Sequence, residues 1–407
     1  MINQQRLWQR LMEVGEIGKE QSGGVTRAAF TKEDRAVKDL VSGYMKEAGL
    51  NVHEDAVGNL IGRKEGQNPD APAVITGSHL DTVSHGGNFD GILGVLGGIE
   101  VLQVMKEHNI QTLYPIEVIA FTGEDAARFS GMLGSRGFTG ALQEEDLQEK
   151  DGQGMTMGEA MGQAGFPPEA IAQAVRPRET MKAFVELHIE QGKVLENKGI
   201  SVGCLINIYS QLKDKFLLAG EPGHGGNTPM PLRKEALMAA AEVMLAIEGQ
   251  AREESDVAVT TINNLYTPPG GGIPSKVEFI ADMRAASDSI RDDFEKRVLE
   301  RANRICEMRD VKLTVTKHSK SHGVACDPSI QEIIINACVK AGLEPFSLSI
   351  GSGHDAMRIA DLCPIGMIIV RSKDGLSHDP GEYSSPEDCR DGTNVLFYTI
   401  LQLAEAY

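Results

Sequence analysis

Five short segments of the sequence bring histidines and carboxylates close to glycines or to the ends of apolar runs. They lie at residues 77–81, 87–91, 122–125, 186–188 and 377–379. Imidazole nitrogens and carboxylate oxygens are the ligands that zinc and similar divalent cations prefer in proteins. These residues therefore indicate hydrolysis at a metal centre, where a cation activates water and polarises the bond under attack.

The first two segments offer a histidine and a bridging carboxylate. His79 and Asp81 follow the apolar run 73–76, which is typical of a buried strand. Because residues two apart point the same way in an extended segment, we expect Asp81 to hold one imidazole nitrogen of His79. The other nitrogen is then left for a metal. Glycines around Asp90 permit a tight turn and close backbone approach, so that Asp90 could bridge two cations.

The remaining segments supply further donors at the ends of predicted strands. Glu124 and Asp125 follow the apolar run 116–121, and a turn there could bring both carboxylates to one site. The predicted metal ligands are His79, Asp90, Asp125, His188 and His378. Five nitrogen and oxygen ligands with one bridging carboxylate suit two zinc-like ions, and Glu124 is then free to act as general base.

Each of these residues also has an ordinary structural interpretation. A single histidine among the ten in the chain is commonly a surface or core residue. Asp90 could be a turn residue, and Glu124 and Asp125 could cap a helix. The prediction depends on several such residues falling at strand ends in glycine-rich contexts.

The elements that must position these residues read as an α/β layer. Short apolar strands are predicted at 52–61 (a pair), 73–76, 116–121, 184–187 and 365–370, with helices at 32–48, 92–105, 328–341 and 387–406. Alternating strands and helices of this kind favour a mainly parallel sheet. The polar stretch 143–178 is predicted to be a helical excursion over the surface.

A second domain is predicted between residues 211 and 327. Strands at 215–219, 257–262, 277–283 and 311–316 and helices at 232–250 and 290–308 follow in the order strand-helix-strand-strand-helix-strand. That order is typical of a ferredoxin-like α+β domain. Residues 1–210 and 328–407 would then form the first domain, which carries the metal ligands.

Composition excludes several classes of function. The chain has 407 residues and a formal net charge of −18, which argues against a nucleic acid or an anionic membrane as partner. We find no apolar run of about 18 residues and no secretory signal at the N-terminus. The six scattered cysteines are typical of reduced thiols in a cytoplasmic protein.

The motifs together resemble the di-zinc amidohydrolases related to aminoacylase and carboxypeptidase G. The resemblance lies in residues 79–83, 87–91, 124–125, 186–192 and 224–230, and it covers nearly the whole chain. Within this family the chain is similar to the N-carbamoyl-L-amino-acid hydrolase and allantoate amidohydrolase branch. The resemblance implies a three-layer zinc-exopeptidase-like catalytic domain with an inserted lid and dimerisation domain, hence a homodimer.

The same resemblance implies roles for individual residues. His79 and His188 would bind one ion, Asp125 and His378 the other, and Asp90 both, with Glu124 as base and Asp81 supporting a histidine. The usual second glutamate of the family is Asp125 here. Two divalent ions per chain are expected, zinc first, with manganese or cobalt as alternatives.

Substrate contacts are also implied by the resemblance. His224 would stabilise the oxyanion across the dimer or on lid closure, and Arg284 would clamp a substrate carboxylate. Gln211 and His354 would hydrogen-bond substrate. Alternatively, His224 is a loop histidine, Arg284 forms a surface ion pair, and His354 supports packing.

One position departs from the family. Relatives carry an asparagine that helps to bind the substrate carboxylate, and Gly271 stands in its place. Either a backbone N–H of this glycine run substitutes for the asparagine, or the substrate differs.

Three functions remain open from the sequence. The first is hydrolysis of the ureido C–N bond of N-carbamoyl-L-amino acids or allantoate, and the second is an aminoacylase or metallo-exopeptidase. A metal-dependent binding protein is the third, although the retained Glu124 argues against it because binding needs no general base.

Overall fold

The computed structural model describes residues 2–406 and divides into two compact units. The first comprises Met1–Ile206, Cys326–Leu348 and Gly353–Tyr407, and the second comprises Asn207–Ala325 and Ser349–Ser352. The sequence had placed the inserted segment at 211–327. Its predicted roles as a lid and a dimer contact stay predictions.

The first unit contains most of the strands and helices. Its helices are α1 (Gln4–Gly15), α2 (Lys32–Glu47), α3 (Ile92–Glu107), α4 (Leu133–Thr139), α5 (Met157–Gln163), α6 (Val194–Lys198), α9 (Pro328–Lys340), α10 (Ala356–Ile359) and α11 (Pro386–Leu403). Its strands are β1 (Asn51–Glu54), β2 (Leu60–Lys64), β3 (Ala73–His79), β4 (Ile116–Phe121), β5 (Met181–Ile189) and β13 (Ile365–Val370). β6 (Val202–Ile208) and β12 (Ser347–Ile350) run from one unit into the other.

The large sheet is mixed rather than mainly parallel as predicted. Its strand order is β1-β2-β4-β3-β5-β13-β6-β11, where β11 is Val324–Ala325, and β12 pairs with β6. The four central strands β4, β3, β5 and β13 pair in parallel. The flanking pairs of β1 with β2, β2 with β4 and β13 with β6 are antiparallel. The metal-ligand segments therefore follow the parallel centre, whose carboxyl ends share one edge.

Local sequence explains why the central helices form where they do. Thr31 caps α2 by accepting from the amide of Asp34. α3 is apolar on nearly all sides, because it is buried between the sheet and its neighbouring helices. The excursion at 143–178 consists of short helical turns, in line with the prediction, and its buried residues form a small apolar cluster with Val57, Phe129 and Leu133.

The second unit has the predicted ferredoxin-like order. It runs β7 (Ser210–Ala219), α7 (Ala236–Glu253), β8 (Ala258–Tyr266), β9 (Lys276–Ala285), α8 (Asp288–Met308) and β10 (Lys312–Ser321), followed by β11 (Val324–Ala325). The sheet order is β10-β7-β9-β8, and one face packs against α7 and α8 in a separate core. The first and last residues of this chain segment lie side by side, because Ile208 of β6 pairs with Val324 of β11 and Asn207 pairs with Ala325.

Two details differ from the sequence prediction. α7 begins at Ala236 rather than at residue 232, because Glu235 is extended and the carbonyl of Lys234 accepts from the amide of Glu221. α1, which was not predicted, has an amphipathic sequence whose buried side includes Leu7 and Leu11. Within residues 2–406, no helix combines the length and apolar character needed to cross a bilayer.

Candidate metal centre

Parallel strands deliver the first histidines to one place. β3 ends at His79, and His188 is the penultimate residue of β5, which pairs with β3. Gly91 completes the cradle with a φ of 70°, and a Cβ added there would lie 2.4 Å from His79 Nε2. Glycine is therefore required at this position both by backbone conformation and by the space beside the imidazole.

The two histidines are held so that their Nε2 atoms are acceptors. His79 Nδ1 lies 3.0 Å from the Asp81 carbonyl oxygen, and His188 Nδ1 lies 2.9 Å from the Ile189 carbonyl oxygen. Because a carbonyl only accepts, each Nδ1 carries the hydrogen. His188 Nε2 then faces Asp90 Oδ1 at 2.9 Å, buried and without a hydrogen-bond partner. Two facing acceptors require a proton or a cation between them, so the donor set fits a metal.

Asp90 lies at the centre of the donor atoms. Its Oδ1 is 3.7 Å from His79 Nε2, and its Oδ2 is 3.1 Å from His378 Nε2, which is in turn 3.4 Å from Asp125 Oδ1. Ligand atoms within reach of one cation occur in the groups His79–Asp90–His188 and Asp90–Asp125–His378. The structure thus brings all five predicted ligands together, with Asp90 common to both groups.

The electrostatics of the site reflect its excess of carboxylates. Burial alone would lower the pKa of His79, but the neighbouring carboxylates, led by Glu124, raise it well above its ordinary value. Burial would raise the pKa of Asp90, whereas the rings of His188 and His378 hold it well below its usual range. His378, beside Asp125 and Asp90, has its pKa raised to about 10. Divalent cations would neutralise the same negative charge that these protons neutralise.

The side chain of Asp81 makes different contacts from those predicted. Its carboxylate oxygen Oδ1 is 3.8 Å from His79 Nδ1, so the backbone carbonyl rather than the side chain holds the ring. The carboxylate accepts instead from the amides of Glu124, at 3.1 Å, and Asp125, at 3.0 Å. β3 ends at His79, and the two-residue alternation of a strand therefore does not extend to Asp81.

Glu124 stands beside the first group of donors. Its side chain is 9% exposed, and Oε2 lies 3.6 Å from His79 Nε2. Burial raises the pKa of Glu124 well above its ordinary value, and the carboxylates of Asp125 and Asp355 add to this rise. A carboxylate with a raised pKa is a stronger base than an ordinary one, which suits a group that takes a proton from water and then returns it.

Three polar residues around Asp90 were not singled out from the sequence. Gln191 Nε2 donates to Asp90 Oδ2 at 2.8 Å, and Ser377 Oγ lies 3.1 Å from the same oxygen. Glu382 accepts from the amides of Phe89 and Asp90 and from Ser377 Oγ. Gln191 has a φ of 55°, a left-handed conformation that is uncommon outside glycine and asparagine. The sequence feature that could have identified Gln191 is its place in the segment 186–192, which carries part of the family resemblance.

A buried acid pair lies behind His188. Glu186 Oε1 accepts from Ser78 Oγ and its Oε2 accepts from the amide of Ala356. Burial, with Glu186 nearby, raises the pKa of Asp355 to about 8. His354 packs edge-on against His188 with ring centroids 4.3 Å apart, and burial holds its pKa well below the ordinary value. His354 is therefore next to the metal ligands, and its predicted contact with substrate stays a prediction.

The other predicted substrate residues belong to the second unit. Gln211 lies opposite Arg284 in the β7–β9 ladder, and the Arg284 guanidinium pairs with Asp282. His224 lies in an exposed loop. Its neighbour Gly223 forms a β-bridge with Ile273, which directly follows the glycine run 270–272. A Cβ added at Gly271 would meet nothing within 4 Å. Packing inside the unit therefore does not explain why glycine replaces asparagine.

Comparison with known proteins identifies the family. A sequence profile described as Peptidase family M20/M25/M40 matches residues 75–402. The chain belongs to this family. The resemblance noted from the sequence is thereby confirmed, as is the fold class.

Several known proteins are similar to this chain over nearly the whole length of both. The N-carbamoyl-L-amino acid amidohydrolase of Geobacillus stearothermophilus is 50% identical over 408 residues, which cover 100% of each chain. The allantoate amidohydrolase of Bacillus subtilis is 32% identical, covering 96% of this chain and 95% of that one. A crystal structure of a hydantoinase/carbamoylase family amidase from Burkholderia multivorans superposes with a TM-score of 0.93 at 34% identity, covering 99% and 98% of the two chains.

Proposed function

We propose that this M20 family chain is an amidohydrolase that cleaves the ureido C–N bond of small carboxylates, N-carbamoyl-L-amino acids first and allantoate second. The observation that carries the proposal is the shared carboxylate of Asp90, with Glu124 buried beside the same donors. Full-length identity of 50% to an N-carbamoyl-L-amino acid amidohydrolase supports the substrate class.

In this proposal His79 and His188 would hold one divalent cation, Asp125 and His378 would hold a second, and Asp90 would contribute to both. Zinc is the expected metal because nitrogen and oxygen donors in small number suit it, with manganese or cobalt as alternatives. When bound, such cations polarise the ureido carbonyl and lower the pKa of water.

The side chains around the cations move the protons. Glu124 takes the proton of the attacking water on a carboxylate oxygen and returns it to the leaving nitrogen. Asp81 holds the backbone amides of Glu124 and Asp125, which fixes where both carboxylates emerge. His354 stays neutral because its pKa is lowered by burial, so it can donate an N–H to substrate. In the proposal, His224 donates to the developing oxyanion.

In this proposal, residues of the second unit select the substrate. Arg284 and Gln211 are proposed to bind the substrate carboxylate end, with a backbone amide of the glycine run at Gly271 in place of an asparagine side chain. An aminoacylase or exopeptidase would use the same centre. The named relatives at full length favour ureido compounds over acyl or peptidyl ones.

The proposal is tested by product release from a panel after reconstitution with Zn²⁺, Mn²⁺ or Co²⁺. The panel holds N-carbamoyl-L-amino acids, allantoate, N-acetyl amino acids and dipeptides. Turnover of the carbamoyl compounds or allantoate is expected. Turnover of only acyl or peptidyl compounds would move the protein to the aminoacylase or peptidase side.

Glu124→Gln is the matching test of the base. It should keep bound metal and lose about 10²–10⁴-fold in kcat, the usual size of a lost general base. Glu144→Gln removes the same charge at an exposed position and should leave kcat unchanged. A Glu124→Gln enzyme with near-normal kcat would remove Glu124 from this role.

We also propose a homodimer built on the edge strand β8. Residues 257–275 contain no charged side chain, and β8 ends its sheet. Val259, Leu265 and Tyr266 are 47%, 53% and 54% exposed. A long uncharged edge of this kind is suited to pairing with a second copy. The six cysteines are all unpaired and buried, which supports a reducing, cytoplasmic location.

A further inference from the structure

A polar cluster in the second unit is centred on Asp282. β7 and β9 pair so that Gln211 lies opposite Arg284 and Lys213 lies opposite Asp282. These residues alternate with the core residues of both strands, so they lie on the sheet face opposite α7 and α8. Asp282 is only 5% exposed, and a carboxylate that is buried to this extent needs donors around it.

Arg284 is bound through one edge of its guanidinium. Nε donates to Asp282 Oδ1 at 3.1 Å and Nη2 donates to Oδ2 at 2.9 Å, which is a bidentate pair. Nη1 donates to the carbonyl oxygen of Gly351 at 2.5 Å. The Nε–Nη2 edge is therefore taken, and an incoming carboxylate must use the hydrogens that remain on Nη1 and Nη2.

Asp282 also decides the orientation of the Gln211 amide. Gln211 Nε2 lies 3.0 Å from Asp282 Oδ1 and 2.9 Å from Oδ2. An ionised carboxylate can only accept hydrogen bonds, so the amide nitrogen must face Asp282. The amide oxygen Oε1 is consequently directed away from Asp282 as a hydrogen-bond acceptor.

We propose that Asp282 is a positioning residue that makes Arg284 and Gln211 one recognition element for α-ureido acids. Arg284 presents donors to the substrate carboxylate, and Gln211 Oε1 accepts from the ureido N–H on the same carbon. Arg284 and Gln211 together fit a substrate whose carboxylate and N–H are attached to the same carbon. This inference rests on the proposed function above.

The test compares α-ureido and β-ureido acids, which differ by one carbon between the N–H and the carboxylate. Wild type is expected to prefer an N-carbamoyl-L-α-amino acid over N-carbamoyl-β-alanine in kcat/KM. In Asp282→Asn, the KM for the α-ureido acid should rise about tenfold to a hundredfold, the usual effect of losing charge-assisted hydrogen bonds. The α/β preference should fall by a similar factor while kcat changes little.

Glu278→Gln is the matched control, because Glu278 lies on the same face of β9 and pairs with Lys215 and Lys276. It should keep both KM and the α/β preference. Gln211→Leu provides a second variant should Asp282→Asn fail to fold, and it should lower the preference without touching the Arg284–Asp282 pair.

An unchanged α/β preference in folded Asp282→Asn, or an equal loss in Glu278→Gln, would overturn the inference. An unchanged preference in Gln211→Leu would do the same. If wild type turned over no ureido acid at all, the proposed function itself would fail, and that outcome is seen before any variant is made.

Discussion

Replacing Asp214 with asparagine is expected to stabilise the second unit at neutral pH. Asp214 lies in β7 between the core residues Leu212 and Phe216, on the face that packs against the helices. It is 0% exposed, and neither carboxylate oxygen has a hydrogen-bond partner. Burial and the nearby carboxylate of Glu295 raise its pKa from 3.8 to about 6, against the opposing effect of Lys317.

The size of the effect follows from the pKa shift. A rise from 3.8 to about 6 corresponds to about 3 kcal/mol, since one pKa unit is worth about 1.4 kcal/mol. An acid whose pKa is raised by folding binds its proton more tightly in the folded state. Its contribution is therefore most favourable below the unfolded value and is lost as the pH rises through the folded one. Above that pH the wild-type carboxylate destabilises the unit, and asparagine avoids this cost.

Hydrogen exchange in β7 and α8 is the suitable assay, because the single tryptophan, Trp8, lies in the first unit and does not report on the second. Protection in Asp214→Asn is expected to exceed wild type by up to about 3 kcal/mol near pH 8 and by much less near pH 4. Asp293→Asn, at an exposed position of α8, removes the same charge and should have little effect. Equal protection of wild type and Asp214→Asn near pH 8 would refute the reasoning, as would an equal gain in Asp293→Asn.

Three further predictions concern the metal centre and the edge strand. Gly91→Ala would place a methyl group 2.4 Å from His79 Nε2. The amount of bound metal should therefore fall, and kcat should fall about a hundredfold. Gly152→Ala is the control, because the space around Gly152 is open, and it should leave both quantities unchanged. Elemental analysis should find about two divalent ions per chain and about one in Asp125→Ala, and activity removed by a chelator should return with added metal. A charge on the edge of β8 in Val259→Lys should shift sedimentation from dimer towards monomer, and a dimer of undiminished stability would exclude β8 as the contact.

The candidate metal centre could be predicted from the sequence because its donor residues follow strands with a strong apolar pattern. The apolar, β-branched run before Phe121 predicted β4 at its observed limits, so Glu124 and Asp125 fell at a known strand end. The contacts of the Asp81 side chain could not be predicted, because its direction depends on where β3 ends, and residue type marks a strand boundary poorly. Gln191 and Glu382 were missed since their contacts join distant parts of the chain.

The fold was predictable where elements are long and periodic. Apolar residues alternate along β9 and recur at helical spacing along α8. The order of strands and helices in the second unit could be predicted from such patterns. The antiparallel flanks of the large sheet could not be predicted, because strands such as β1 are short and their partners are set by packing rather than by local sequence. The hydrogen bond from the amide of Glu221 to the carbonyl of Lys234 likewise moves the start of α7 to a later residue, and no local sequence pattern predicts such a contact.

The pairing of β6 with β11 has a consequence for how the chain is made. β5 must pair with β13 although the whole second unit is synthesised between them. Once folded, that unit holds Asn207 beside Ala325. The entropy cost of bringing β5 and β13 together is then that of a short loop rather than that of the whole inserted segment. Until β13 emerges, however, a nascent chain presents β5 as an apolar open edge, and His378 is not yet available. The candidate metal centre is therefore completed late in biosynthesis, and the exposed β5 edge is a segment of the growing chain that is prone to aggregation.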